Sequence, residues 1–92
     1  MENIEFIDAG SSGFFDTEEG IIEEGYVVIK IDGEEIQLTI QQGEGFYDIL
    51  LDDIEYKPLM ESLGIEFYDD EELIGPESFL TDLYMFYDST TN

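Results

Sequence analysis

The stretch that most constrains the fold is YVVIKIDGEEIQLTI, residues 26–40, which has the pattern of a β-hairpin. Asp32-Gly33 is a strong signal for a two-residue type I′ turn, because both turn positions need positive φ, which Asp tolerates and Gly adopts freely. The turn fixes the register and pairs Lys30 with Glu35, Ile29 with Ile36, and Val27 with Leu38. One face of the hairpin is then apolar and is predicted to enter the core: Val27, Ile29, Ile31, Leu38 and Ile40, with Ile36 alongside.

The segments on either side of this hairpin predict one more strand and a helix. IEFI, residues 4–7, predicts an N-terminal strand, whereas the Gly-, Ser- and acid-rich segment 8–24 predicts a mobile acidic loop. In FYDILLDDI, residues 46–54, apolar residues recur one, three and four positions apart, which favours an amphipathic helix. A strand over residues 46–51 is the alternative.

The C-terminal third predicts two helices around an edge strand. Pro58 suits the first turn of a short helix, PLMESL, that Gly64 ends. IEFYDDEEL, residues 65–73, predicts an edge strand that runs into an acidic loop. Pro76 begins a last helix, and only residues 89–92 are predicted to form a frayed tail. That helix has one face for packing: Phe79, Leu80, Leu83, Tyr84 and Tyr87.

Together these elements predict a single α+β domain over residues 1–92. A small antiparallel sheet, made of hairpin 25–41 and the N-terminal strand, packs with two or three short helices. The chain of 92 residues is long enough for a modest core. Its hydrophobic content of 42% is too high for a disordered acidic tail.

The net charge of the chain lies far outside the usual range of small domains. There are 25 Asp and Glu residues against two Lys, with no Arg and no His, which gives a formal charge of -23. A net charge of about 2–8 in magnitude is ample for solubility. Because the excess destabilises the compact state through self-repulsion, we expect the carboxylates to have a function of their own.

The chain lacks the residue types on which most enzyme chemistry depends. The chain has no Cys, hence no disulfide, thiol nucleophile or zinc–thiolate site, and without His it lacks the commonest general base. Ser11 and Ser12 have no partner base, and Lys30 and Lys57 do not resemble buried catalytic amines. We therefore expect no enzymatic activity and no cofactor.

One segment imitates a calcium-binding loop. DAGSSGFFDTEE, residues 8–19, has acids at positions 1, 9 and 12 and a glycine at position 6, as an EF-hand loop does. Gly10, however, stands at position 3 and offers no side-chain ligand, and the preceding IEFI reads as a strand, where an EF-hand has a helix. We therefore predict an acidic loop and no metal site.

The sequence also points away from a membrane. It contains no apolar run near the ~18 residues of a membrane span, and its start, MENIEF, lacks the basic residues of a signal peptide. The expectation is a soluble protein of the bacterial cytoplasm, with no membrane partner.

The charge has the scale of duplex DNA. A compact chain of this length is about 32 Å wide. A duplex carries one charge per ~1.7 Å, so it carries ~19 charges over the same length. The acids are spread along the chain, unlike the single block of an acidic tail. Such a surface repels nucleic acid itself and suits a basic nucleic-acid-binding cleft.

In size, charge, lack of Cys and α+β pattern, the chain resembles the small acidic DNA-mimic inhibitors of phages and mobile elements, which are anti-CRISPR and anti-restriction proteins. EFYDDEEL, residues 66–73, is similar to the acid-aromatic loop that some of these inhibitors place in a cleft that reads DNA. The resemblance implies a partner that is a Cas effector or a restriction enzyme, and an inhibitor that blocks its DNA binding. The partner-binding residues are then expected in two clusters: Glu66, Tyr68, Asp69, Asp70, Glu71 and Glu72 in the first, and Glu18, Glu19, Glu23 and Glu24 in the second. We expect the first to be better preorganised, since it lies between two packed elements.

Two other readings of the acidic composition stay open. An immunity protein that neutralises a cationic nuclease toxin would use the same electrostatics on a different partner. A halophilic protein would also be rich in acid and poor in Lys, but it would need molar salt to fold.

Overall fold

The computed structural model describes residues 4–18, 20–67 and 72–91, with the backbone alone for residues 46, 47 and 91. Six strands, two α-helices and a 3-10 turn follow one another along these residues. In chain order they are β1 (Ile4–Thr17), β2 (Gly20–Ile31), β3 (Glu34–Gly43), β4 (Phe46–Leu51), the 3-10 turn (Ile54–Tyr56), α1 (Lys57–Ser62), β5 (Glu66–Phe67), β6 (Leu73–Ile74) and α2 (Glu77–Thr91).

The main sheet is antiparallel, with the strand order β1-β2-β3-β4, and β5 and β6 form a separate two-stranded sheet. The α+β prediction is confirmed, although the main sheet has four strands where the sequence predicted three. None of the helices in the described ranges is long and apolar enough to cross a membrane.

The predicted central hairpin is confirmed in its turn and its register. Asp32 and Gly33 have φ values of 50° and 88°, as a type I′ turn requires. Strands β2 and β3 pair Lys30 with Glu35 and Val27 with Leu38. All six residues of the predicted apolar face have no exposed surface.

The core lies between one face of the main sheet, here called the inner face, and the two α-helices. Phe79, Leu83 and Tyr87 of α2 and Met60 of α1 are buried in the same cluster as the apolar residues of β2 and β3. Leu80 and Tyr84 pack against it in part, so the predicted face of α2 is confirmed. Burial of each large apolar side chain contributes about 1.5–3 kcal/mol to stability.

The predicted loop over residues 8–24 is wrong, because nearly all of this segment is paired strand. β1 continues from Ile4 to Thr17 and pairs along its length with β2. The register shifts twice, between Phe6 and Asp8 and between Ser11 and Gly13. Gly13 has a φ of 138°. The Gly- and Ser-rich sequence therefore forms β-bulges within a strand, where we had predicted a loop.

The preferred helix over residues 46–54 is also wrong, and the alternative strand over 46–51 is confirmed. A tight turn at Glu44-Gly45, where Gly45 has a φ of 87°, returns the chain antiparallel to β3. Ile49 and Leu51 are buried while Leu50 is only half-buried, which is the two-residue period of a strand. A second hairpin therefore outweighs the helical spacing of the same apolar residues.

The two C-terminal helices follow the prediction until the last residues. Of the predicted edge strand over residues 65–73, Glu66–Phe67 form a strand that pairs with β6 in the separate sheet, and residues 68–71 lie outside the described residues. Pro58 lies in the first turn of α1, and Gly64 follows that helix with a φ of 85°. The predicted frayed tail is wrong for residues 89–91, which continue α2. The hydroxyls of Ser89 and Thr90 both donate to the carbonyl of Phe86 and occupy an acceptor of the last turn. Asn92 lies outside the described residues.

Candidate interaction surface

Every carboxylate of the described residues reaches the surface, since none of their charged or polar side chains is buried. Successive side chains of a strand point to opposite faces of a sheet, and α1 and α2 occupy the inner face. The opposite side of the main sheet, here called the open face, carries acids on all four strands. Its charged residues are Glu5, Asp8, Glu24, Lys30, Glu35 and Asp48.

The acids of the open face, except Asp8, lie in two rows, one near each end of the sheet. At one end the register aligns Glu5, Lys30 and Glu35, so that one of the two cations of the chain lies between two carboxylates. At the other end it aligns Glu24, Gln41 and Asp48. The two rows lie six positions apart along β2, from Glu24 to Lys30, which corresponds to about 20 Å at ~3.4 Å per residue.

Between the rows lie the hydrogen-bonding side chains of Tyr26, Gln37 and Thr39, together with Asp8 and the apolar Val28 and Leu50. Several of the acids accept hydrogen bonds from uncharged side chains of this face. The hydroxyl of Tyr26 donates to a carboxylate oxygen of Asp8 at 3.3 Å. The hydroxyl of Thr39 donates to Asp52, just beyond β4. The amide of Gln41 donates to Glu24 at 3.0 Å. These bonds restrict the rotamers of the acids before any partner binds, which lowers the entropy lost on binding.

The sheet divides the sequence-predicted cluster of Glu18, Glu19, Glu23 and Glu24. Glu24 belongs to the open face, whereas its neighbour Glu23 points to the inner face and Glu18 is exposed after the end of β1. Glu19 lies outside the described residues. Glu23 and Glu24 are paired residues of strand β2, whereas the sequence predicted that they lie in a loop.

Glu23 is part of a polar network at the end of the core. Its carboxylate accepts hydrogen bonds from the hydroxyl of Ser11, at 3.1 Å, and from the amide of Gln42. The amide oxygen of Gln42 in turn accepts from the hydroxyl of Tyr84. The network connects β1, β2, β3 and α2 near the end of the sheet that carries Glu24 and Asp48.

Tyr87 lies beside this network. Burial is the main cause that raises the pKa of its phenol, and the negative charge of Glu23 raises it further. A buried phenol next to a carboxylate favours the neutral, proton-bearing form. The aromatic residue predicted only as core is therefore also a neighbour of one of the predicted site residues.

The predicted cluster over residues 66–72 is described only at its two ends. Glu66 is exposed on β5, and Glu72 is half-buried and bridges to Leu50 of β4. Tyr68, Asp69, Asp70 and Glu71 lie outside the described residues. Near the start of the cluster, the ammonium nitrogen of Lys57 lies 5.3 Å from the ring centroid of Phe67, within the range of a cation–π contact. Of this cluster, Glu72 therefore lies beside β4, an edge strand of the main sheet.

The two aspartates of the calcium-like pattern, Asp8 and Asp16, do not converge on one site. Asp8 pairs with Val28 and Asp16 with Ile21, which places them on opposite faces of β1. Ser12 falls in the second bulge between them.

Sequence reasoning missed the uncharged members of this surface. Gln41 faces Glu24 and Gln42 faces Glu23 across strands β2 and β3. Counting outward from the Asp32-Gly33 turn gives both pairs, so the sequence did contain the signal.

Comparisons of the chain with protein-family models, with curated proteins and with solved structures give no match.

Proposed function

We propose that the protein is a DNA mimic that occupies the basic nucleic-acid-binding cleft of a host defence nuclease and blocks DNA binding. The partner is a Cas effector or a restriction enzyme in the bacterial cytoplasm. The observation that supports this most is the open face, where two acidic rows flank a strip of amide and hydroxyl groups on a rigid sheet.

The size of the molecule agrees with its charge. The molecule measures 37 × 29 × 22 Å along its principal axes. A duplex as long as the first of these dimensions carries about 22 phosphate charges. The formal charge of the chain is -23. A basic cleft that neutralises phosphates along such a length is therefore attracted to a molecule of similar total charge, of which the open face itself carries five carboxylates.

The rows and the strip between them have separate roles in the proposed complex. Carboxylates attract the cleft over a long range and raise the association rate, then accept charge-assisted hydrogen bonds from its Arg and Lys side chains. Tyr26, Gln37 and Thr39 offer donors and acceptors between the rows, where a duplex presents the edges of its bases. Glu72 extends the acidic surface beyond β4.

Exposed ion pairs are worth only about 0.2–1 kcal/mol each, so tight binding requires many of them or a few that are desolvated. Both cases make the affinity sensitive to salt. The inhibitor is therefore expected to associate fast at low ionic strength and to lose association rate as salt screens the attraction.

Surface plasmon resonance with two purified partners tests the proposal: a guide-RNA-loaded CRISPR nuclease and a type I restriction enzyme. We expect saturable binding to at least one of them, with a Kd that rises steeply between low and physiological salt. Absence of binding to both, or a Kd that does not change with salt, would contradict the proposal.

A further inference from the structure

The hairpin of β1 and β2 extends beyond the rest of the main sheet. The pairing of β2 with β3 ends at Glu23 and Gln42, whereas the pairing of β2 with β1 continues to Gly20 and Thr17. The hydroxyl of Thr17 donates to the carbonyl of Gly20 at 2.7 Å and closes the end. Residues 14–17 and 20–22, here called the ribbon tip, therefore form a two-stranded ribbon with no β3 partner.

The ribbon tip exposes large apolar side chains. The exposed fractions are 69% for Phe14, 51% for Phe15 and 65% for Ile21. A two-stranded ribbon has no core of its own in which to bury them. Clustered exposure of this kind marks interaction surfaces.

Both sides of the ribbon tip carry large apolar side chains, although the carboxylates of Asp16 and Glu23 lie on the same side as Phe14 and Ile21. Phe15 pairs directly with Ile22 on one side. On the other side Phe14 pairs with Glu23 and is diagonal to Ile21, which is within reach of an aromatic ring. A surface patch for a flat partner needs only one apolar side, so two such sides suit insertion between two walls.

Carboxylates determine what can cover this tip. Asp16 and Glu18 are exposed at it, and Glu23 and Glu24 follow at its base. A second copy of the chain would bring the same acids together, and an anionic membrane would repel them. The charge complementarity favours a protein slot with a basic rim and an apolar interior.

Such slots hold unpaired bases in nucleic-acid-binding proteins. Grooves for single strands combine a positively charged track for the backbone with aromatic side chains on which the bases stack. We infer that the ribbon tip inserts into a base-stacking slot of the partner nuclease, with Phe14 and Phe15 in place of two bases. Asp16 and Glu18 then take the place of the neighbouring phosphates.

This inference rests on the proposed function and extends it to a second part of the cleft. The pair Phe15–Ile22 forms the next row of the open face after Glu24, Gln41 and Asp48. One partner can therefore contact the acidic rows and the ribbon tip together. CRISPR nucleases that form an R-loop have both features, because they hold a duplex and also stabilise the displaced single strand.

The test compares the double variant F14S/F15S with I54S/M85S in binding to the guide-RNA-loaded CRISPR nuclease. Ile54 and Met85 are exposed to 56% and 63%, so the control removes similar apolar surface away from the ribbon tip. We expect F14S/F15S to raise the Kd about tenfold or more, the range of lost base–aromatic stacking, without changing its salt dependence. The control should stay within about twofold.

Conservative variants test stacking and guard against misfolding. F14Y/F15Y retains the rings and is expected to bind as the wild type, whereas F14L/F15L keeps apolar surface without rings and is expected to bind weakly. An oligothymidine single strand should compete with the wild type for the nuclease. Wild-type affinity in both F14S/F15S and F14L/F15L would overturn this inference alone. Failure of the wild type to bind the CRISPR nuclease would overturn this inference, and failure to bind the type I restriction enzyme as well would overturn the proposed function.

Discussion

The ring of Tyr87 in α2 lies directly over the backbone of Gly25 in β2. A methyl group built on Gly25 would lie 2.2 Å from Cε1 of Tyr87 and 2.3 Å from its hydroxyl oxygen. Only glycine allows this approach, which brings α2 onto the sheet next to the network of Ser11 and Glu23. The contact thus connects the packing of the core to the end of the sheet that carries Glu24 and Asp48.

Replacement of Gly25 by alanine is expected to lower the free energy of unfolding by about 1–3 kcal/mol, the usual cost of overpacking. Urea denaturation followed by circular dichroism measures it. Gly75→Ala is the control, since its methyl group would lie no closer than 3.3 Å to a side-chain atom of Ile65. In a Tyr87→Leu background the cost at Gly25 should shrink. A Gly25→Ala protein as stable as the wild type would contradict the packing described.

The raised pKa of Tyr87 predicts a loss of stability at alkaline pH. The ordinary pKa of a tyrosine is 10.0, and burial and Glu23 raise that of Tyr87 in the folded state. As pH rises through about 10, the unfolded chain loses this proton while the folded chain retains it, so the unfolded state gains stability. The contribution of Tyr87 to the free energy of unfolding is therefore fully present below about pH 10 and declines as the pH rises towards the pKa of the folded state.

A Tyr87→Phe variant isolates this effect, because all other groups titrate alike in both proteins. The difference in free energy of unfolding, wild type minus variant, is expected to be constant in neutral solution and to fall above about pH 10. Urea denaturation over a pH series measures it. A difference that stays constant into the alkaline range would mean that the pKa of Tyr87 is not raised.

The sequence predicted those parts of the fold that depend on short-range signals. Asp32-Gly33 determined a register that later placed Glu24 opposite Gln41, and Pro58 and Pro76 located the starts of both helices. The loop prediction for segment 8–24 failed because Gly and Ser occur both in loops and in β-bulges. The long pairing of β1 with β2, which makes this segment a strand, is not visible in the local sequence. Residues 46–54 failed because Leu50 and Leu51 fit either period until the turn at Gly45 pairs the segment with β3.

The candidate site was less predictable than the fold. The expected class of partner rests on acid content, which did not show that Glu23 and Glu24 point to opposite faces. The exposure of Phe14 and Phe15 depends on where β3 ends, which is a long-range property of the sheet. Sequence pattern had therefore no means of separating them from core aromatics such as Phe79.

Self-repulsion among the carboxylates predicts that salt stabilises the fold. The protein is expected to be folded in dilute buffer, with a Tm that rises as potassium chloride screens the acids. Thermal denaturation in low and in molar salt measures the change. A chain that folds only in molar salt would indicate halophilic adaptation in place of mimicry.

Charge reversal on the open face should weaken binding more than the same reversal elsewhere. Glu24→Lys with Asp48→Lys alters one acidic row, and Glu61→Lys with Asp82→Lys alters exposed residues of α1 and α2 by the same net charge. Kd values for the CRISPR nuclease or the restriction enzyme, at one salt concentration, compare the pairs. We expect the open-face pair to lose about tenfold or more, and its Tm to hold or rise as repulsion falls. Equal losses from both pairs would mean that net charge, and not this face, determines binding.

Competition with DNA tests the central claim most directly. In a mobility-shift assay, a guide-RNA-loaded CRISPR nuclease is titrated with a labelled duplex target at fixed concentrations of the protein. If the protein occupies the DNA-binding cleft, the apparent Kd for DNA rises in proportion to its concentration, and no complex contains all three components. A stable ternary complex with undiminished DNA affinity would contradict the mimicry.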